Sequence, residues 1–238
     1  MSKSIKSYWA SKEHFGVREN STSNIEVQLH YQRRIEGGRG ASNPGRHSQK
    51  DAKCIELLKT LDKVLIREKS GSYVNNKYVV LTTEGEVILY AKEDSGFLNN
   101  VLGGKSRSFE IDVFDTNDKE VIKIRRPYTV AQDKMDVSVC GQAAAVVRKE
   151  VTFFKPVLTI NDANDRLVIR VKGPVSLSSE CNFELYSKDK QRIGDISKRT
   201  RAPDRDRFAA RFPADLDVRY KAAVISTCFL IDFLFYEN

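Results

Sequence analysis

The residues with the clearest chemical potential lie late in the chain. The run Asp204-x-Asp206-x-Phe208-x-Ala210-x-Phe212-x-x-Asp215 puts carboxylates at positions 1, 3 and 12 of a twelve-residue window. Calcium loops draw oxygens from positions 1, 3, 5, 7, 9 and 12, because a hard cation takes six to eight of them. Here positions 5, 7 and 9 are Phe208, Ala210 and Phe212, so only backbone carbonyls or water could serve there. Position 12 is the shorter Asp, and position 6 is Ala209 where a calcium loop has Gly. Arg205 and Arg207 add positive charge within the window, which weakens any cation site. The competing reading is a strand whose Phe208, Ala210 and Phe212 point into a core while Arg207 and Arg211 point out.

The same stretch is basic. Between Arg192 and Arg211 there are seven cations (Arg192, Lys198, Arg199, Arg201, Arg205, Arg207 and Arg211) against three Asp. Such a run suits lipid phosphates or nucleic acid, or is simply the solvated face of a strand–loop–strand. No aromatic interleaves residues 198–207, so stacking on single-stranded bases has little support. Other chemistry fails on spacing. Gly103-Gly104-Lys105-Ser106 resembles the end of a phosphate loop, but the position that needs the first Gly is Asn99. All three His (14, 30 and 47) precede residue 53, and the four Cys (54, 140, 181 and 228) form no CxxC, so neither a zinc cluster nor a His-assisted nucleophile is expected. The chain is read as a non-enzyme.

The elements that must carry these residues are short. Lys77–Leu81 and Glu86–Tyr90 flank Thr82-Thr83-Glu84-Gly85. Phe109, Ile111 and Val113 alternate with acids, Ile122 and Ile124 with bases, and Leu167, Ile169 and Val171 with Val168, Arg170 and Lys172. Period-two runs joined by polar turns predict hairpins and an all-β body, either a barrel or a sandwich. The segment Ala222–Phe235 breaks the pattern, with eleven apolar residues in fourteen. As a helix it would be apolar all round and about 21 Å long, short of a bilayer's roughly 30 Å hydrocarbon core. A barrel interior suits it better than a lipid span, with Asp232 the costly residue in lipid.

With 238 residues, nine Tyr and twelve Phe, the chain can build one core. Lys plus Arg exceeds Asp plus Glu by 40 to 32, a net charge of +8 that points to a polyanionic partner. Residues 1–52, with nine Lys/Arg against five Asp/Glu and the run Gly37–Gly45, read as a flexible basic tail. That tail is either a partner-binding arm or a solvated terminus. No apolar secretory signal opens the chain, so an intracellular protein is expected.

The block Phe212-Pro213-Ala214-Asp215-Leu216-Asp217-Val218, followed by Cys228-Phe229-Leu230-Ile231-Asp232-Phe233, resembles the end of the phospholipid scramblase family. Asn75–Tyr78, Ala91–Asp94, Glu120–Ile122 with Arg126-Pro127, Lys172–Pro174 and Gly194–Lys198 match it too, in the family's order. The resemblance implies a tubby-like fold over residues 53–238: a closed twelve-stranded antiparallel barrel around a hydrophobic core helix at about 217–236, with Ala222, Ile225, Cys228, Phe229, Ile231, Asp232, Phe233 and Phe235 on that helix. It implies calcium-responsive, ATP-independent movement of phospholipids between leaflets, with Ca2+ on Asp204, Asp206, Phe208, Ala210, Phe212 and Asp215. The window matching the family's acylated Cys-rich run, Pro127–Gly141, holds Cys140 alone, which makes Cys140 the acylation candidate.

The expected partners are anionic phospholipid membranes, touched through the basic run at their cytosolic face. The plasma membrane comes first and a mitochondrial membrane second. The alternative is a binding module for anionic headgroups that recruits partners without translocating lipid; nucleic acid has charge alone in its favour, and oligomerisation is left open.

Overall fold

The computed structural model describes residues 53–68, 76–94, 108–128, 133–177, 180–198 and 208–236. The expected tail, 1–52, falls outside them. A 3-10 helix at Lys53–Leu58 leads into twelve strands. These are β1 (Lys63–Glu68), β2 (Asn76–Leu81), β3 (Val87–Asp94), β4 (Phe109–Asp115), β5 (Glu120–Arg126), β6 (Lys134–Val139), β7 (Gln142–Lys149), β8 (Val157–Asp162), β9 (Leu167–Lys172), β10 (Cys181–Ser187), β11 (Arg192–Lys198) and β12 (Phe208–Arg211). Helix α1 (Val218–Phe235) follows. Each strand pairs antiparallel with its neighbours in sequence, and β1 closes on β12 through Lys63↔Arg211 to Ile66↔Phe208. The all-β expectation therefore resolves to a barrel, and closure removes the exposed strand edges of an open sheet.

Alternation fixes which side chains face in. Val64 and Ile66 of β1, Phe109, Ile111 and Val113 of β4, Met135, Val137 and Val139 of β6, and Phe183 and Leu185 of β10 are all buried. Twelve strands enclose more space than these side chains fill, and α1 takes up the remainder. Residues Lys221–Leu234 are buried on every side of the helix. Around it, Phe229 stacks on Tyr78 of β2 with ring centroids 4.6 Å apart, Phe233 meets Phe109 at 5.0 Å, and Phe235 meets Phe183 at 6.1 Å. Asp217 caps the helix by accepting from the Arg219 backbone N–H at 2.9 Å.

The two rims of the barrel differ. At one, Thr82, Asp115, Asp162 and Ser187 open four like turns, each accepting on its side-chain oxygen from the N–H four residues on. The fourth residue of each turn has positive φ: Gly85, Asp118, Asp165 and Lys190. Asn, Asp and Gly tolerate that conformation best, which is why Asp115-Thr116-Asn117-Asp118-Lys119 and Asp162-Ala163-Asn164-Asp165-Arg166 read so alike. Cys140 and Gly141 form the fifth tight turn, both at positive φ. The other rim carries the longer connections, between β1 and β2, β3 and β4, β5 and β6, β7 and β8, β9 and β10, and β11 and β12. Helix α1 enters at the tight-turn rim and ends at the long-connection rim.

Candidate functional site

The window expected to hold calcium is mainly a wall strand in its described part. Phe208 and Ala210 of β12 and Phe212 just after it are buried against the core. β12 is paired on both sides, with β1 and with β11, so its carbonyls are committed to the two ladders. The Phe212 N–H donates to Asp62 O at 2.9 Å. Asp215 is exposed, and Asp204 and Asp206 lie outside the described residues. Among the described residues no three His, Cys, Asp or Glu form a cluster that could hold a metal ion. The described part of the window does not fit a calcium cage, and the strand reading accounts for Phe208, Ala210 and Phe212.

A different cation occupies the carbonyls nearby. Lys221, fully buried in the first turns of α1, sends its Nζ to Ala214 O and Leu61 O at 2.7 Å and to Leu58 O and Lys59 O at 3.0 Å. Its ammonium also lies 5.5 Å from the Phe212 ring centroid. Burial lowers the Lys221 pKa, with Asp215 and Asp62 opposing. Three donors thus serve four acceptors, which include carbonyls left open at the end of the 3-10 helix. One side chain thereby ties that helix, the turn after β12 and α1 together.

The three described cations of the basic run do not share one patch. Arg192 and Lys198 stand at opposite ends of β11, about 20 Å apart at 3.3 Å per residue. Arg192 faces out, 3.5 Å from Glu184. Arg211 is exposed but bidentate on Asp195, at 2.6 and 2.8 Å. That guanidinium holds the Asp195 carboxyl below the usual carboxylate range, against the desolvation that would raise it. Lys198 corrects the expectation of an outward lipid contact: it is 2% exposed, with Nζ 3.6 Å from the Tyr236 ring centroid. Burial lowers its pKa, opposed by Asp232 and Cys181. Arg199, Arg201, Arg205 and Arg207 lie outside the described residues, in the connection joining the long-connection ends of β11 and β12.

The last turns of α1 meet an inward-facing polar group. Asp232, buried, accepts from the Tyr78 hydroxyl at 2.6 Å. Cys181 Sγ and Tyr236 Oη share a hydrogen bond of 2.6 Å, and desolvation raises the Tyr236 pKa. Arg126, buried, pairs with Asp133 and lies 4.7 Å from the Phe233 ring, while Lys149 sits 5.6 Å from the ring of Phe235. Three cations from β5, β7 and β11 thus surround the negative end of the helix dipole, each over an aromatic of its final turns. Ala222, Ile225, Cys228, Phe229, Ile231 and Phe233 are buried as expected, and Phe235 partly so. Cys140, the acylation candidate, stands in the tight turn after β6 and is disulfide-bonded. Tyr78 and Arg126 fall in runs that resemble the family but carried no role there, and Lys221 had no signal at all, because Tyr78 and Lys221 are defined by partners more than 150 residues away.

A model of the scramblase family matches residues 41–238. The chain belongs to the scramblase family. Among curated scramblases it is 30% identical to phospholipid scramblase 1 of Homo sapiens, over 77% of this chain and 66% of that one. To phospholipid scramblase 2 of Bos taurus it is 31% identical, over 77% and 71%. To phospholipid scramblase family member 5 of Homo sapiens it is 29% identical, over 77% of each. This scramblase-family chain spans 66% and 62% of the human and rat scramblase 1 relatives. A solved Arabidopsis thaliana protein is 15% identical with a TM-score of 0.41, over 71% of this chain and 90% of that one. Among the described residues, no helix of this family member is long and apolar enough to cross a membrane.

Proposed function

We propose that this chain moves phospholipids between membrane leaflets without ATP and in response to calcium, at the cytosolic face of an anionic membrane. The observation that carries the reading is the family match over residues 41–238, supported by relatives named as phospholipid scramblases. The net charge of +8 supports an anionic membrane as partner, at about 1 kcal/mol per basic residue near the surface. No covalent step is invoked. The calcium response is not assigned to a cage on β12, whose Phe208 and Ala210 face the core. The test is reconstitution of the purified chain in vesicles carrying labelled lipid, with calcium, with magnesium and with chelator. Loss of lipid asymmetry above protein-free vesicles is expected, greatest with calcium; no loss in any arm overturns translocation.

One observation favours a second reading, a headgroup-binding module that recruits partners without moving lipid. α1 is enclosed by the wall, so its apolar surface offers lipid tails no path across a bilayer. Sedimentation with phosphatidylserine or phosphoinositide vesicles tests this reading. Binding should fall as salt rises, since surface attraction is screened over about 8–10 Å; binding that ignores both salt and anionic lipid sinks it.

A further inference from the structure

Among the described residues, six of the eight large apolar side chains left exposed stand on one arc of the long-connection rim; Leu57 and Leu167 lie elsewhere. The connection from β7 to β8 presents Val151 at 86% exposure, Phe153 at 96% and Phe154 at 84%. Its neighbours add Tyr128 after β5, and Val175 and Leu177 after β9, all exposed. These connections join the consecutive strands β5 to β10, so they stand side by side.

The β7–β8 connection is built to hold this display. Its base closes through the Glu150 N–H to Val157 O at 2.8 Å, and its apex through the Thr152 hydroxyl to Lys155 O at 2.5 Å. The Gly173 N–H donates to Pro156 O at 2.8 Å, locking the neighbouring connection against it. A Cβ on Gly173 would lie 2.5 Å from Pro156 Cγ and 2.7 Å from Phe183 Cε1, so only glycine permits this approach. Two adjacent, almost fully exposed Phe therefore stand at the apex of a braced loop.

Charge selects the occupant. Lys155 is exposed beside the Phe pair; of the lysines at the neighbouring strand ends, Lys172 lies 4.2 Å from the Tyr186 ring and Lys149 is turned to Phe235 and Asp133. Glu150, the acid nearest the apex, is taken by Arg170 at 2.9 Å. A protruding apolar tip with an exposed lysine beside it, on a chain of net charge +8, suits the interface of an anionic bilayer. There the rings enter the headgroup–acyl boundary, and the lysine stem lies along it with its ammonium group at the phosphates.

We propose that Phe153 and Phe154, with Val151, form a wedge that inserts into the headgroup region of an anionic membrane and seats the barrel with its long-connection rim facing the bilayer. The proposal deepens the membrane reading above and rests on it.

The test uses the full chain with Phe153→Trp in a Trp9→Phe background, so that the new indole is the sole one. Its emission is followed with vesicles of phosphatidylcholine, of phosphatidylcholine plus phosphatidylserine, and of the mixture with brominated acyl chains. Sedimentation of the wild type and of the Phe153→Ser/Phe154→Ser variant accompanies it. Expected are a blue shift and bromine quenching on phosphatidylserine vesicles. The double variant should lose partitioning by about tenfold or more, since two rings leave the apolar phase, with an unchanged melting curve. Wild-type sedimentation with an unmoved indole and an equally bound double variant overturns the wedge while leaving membrane binding intact. No sedimentation of the wild type with either vesicle overturns both. A blue shift without lipid that vanishes on dilution overturns the wedge in favour of a second copy of the chain.

Discussion

Lys221 and Asp195 show how single residues set this structure. Removing the Lys221 ammonium takes the shared donor from four carbonyls, of which Leu58 O keeps the Leu61 N–H at 3.3 Å. Lys221→Met keeps the volume but not the charge, and should destabilise the fold by about 3 kcal/mol or more, read as a lower midpoint in denaturant. Asp195 has the opposite sign of charge and a definite pH signature. Its folded pKa is depressed, chiefly by the Arg211 hydrogen bonds, below the roughly 3.9 of an unfolded Asp. Its contribution is therefore complete above about pH 5 and lost as the pH falls through the folded value. Because Arg211 is largely exposed, that contribution is about 1 kcal/mol. Asp195→Asn should lower stability by that amount at neutral pH, with the gap from wild type closing below about pH 4. A constant gap across that range would refute the assignment.

Helix α1 is the element on which the two functional readings divide. Its hydroxyls are satisfied where they stand, Ser226 and Thr227 donating to Ala222 O and Ala223 O one turn back, and Asp232 Oδ2 accepts from Tyr78. Moving the helix into lipid would strip Lys221 from four carbonyls and expose Asp232 to hydrocarbon, each a cost of several kcal/mol. Amide exchange across Ala222–Leu234 is therefore expected to stay slow when anionic vesicles are added. Faster exchange confined to α1 would show that the helix leaves the barrel. Legibility follows the same physics. The strands with one dry face, such as β4 and β10, show their alternation in sequence. β8 does not, since Val157–Asn161 is buried on both faces and the period vanishes. The helix was legible because an all-round apolar run has few homes. The lysine that anchors it was not, since its acceptors are backbone atoms far upstream.

At the scale of the whole molecule the barrel is polarised. One rim is sealed by short turns whose Asp, Asn and Gly could be read directly. The other collects the aromatic-capped cations, the end of α1 and the exposed Phe pair. The +8 charge was visible from composition, yet its placement was not: Lys198 lies inside, Arg192 sits at the far end of β11, and Arg211 is matched by Asp195. For these three residues sequence proximity is not spatial proximity, because alternation and strand length scatter neighbours over two faces and two rims. The arc formed by Tyr128, the β7–β8 apex and Val175 was invisible for the converse reason, since three separate connections become adjacent only once the meander closes.

Closure also imposes an order in time. The seam joins β1 to β12, so the first strand to leave the ribosome waits for the last before its open edge is covered. The helix that fills the lumen comes later still. Until then the nascent chain carries a nearly finished wall whose apolar face has nothing to rest on, and pairing so remote in sequence is slow to form. A stop within α1 thus takes away the core while leaving the wall strands intact. Quality control in the cell would see an emptied barrel as an unfolded protein rather than as a smaller one.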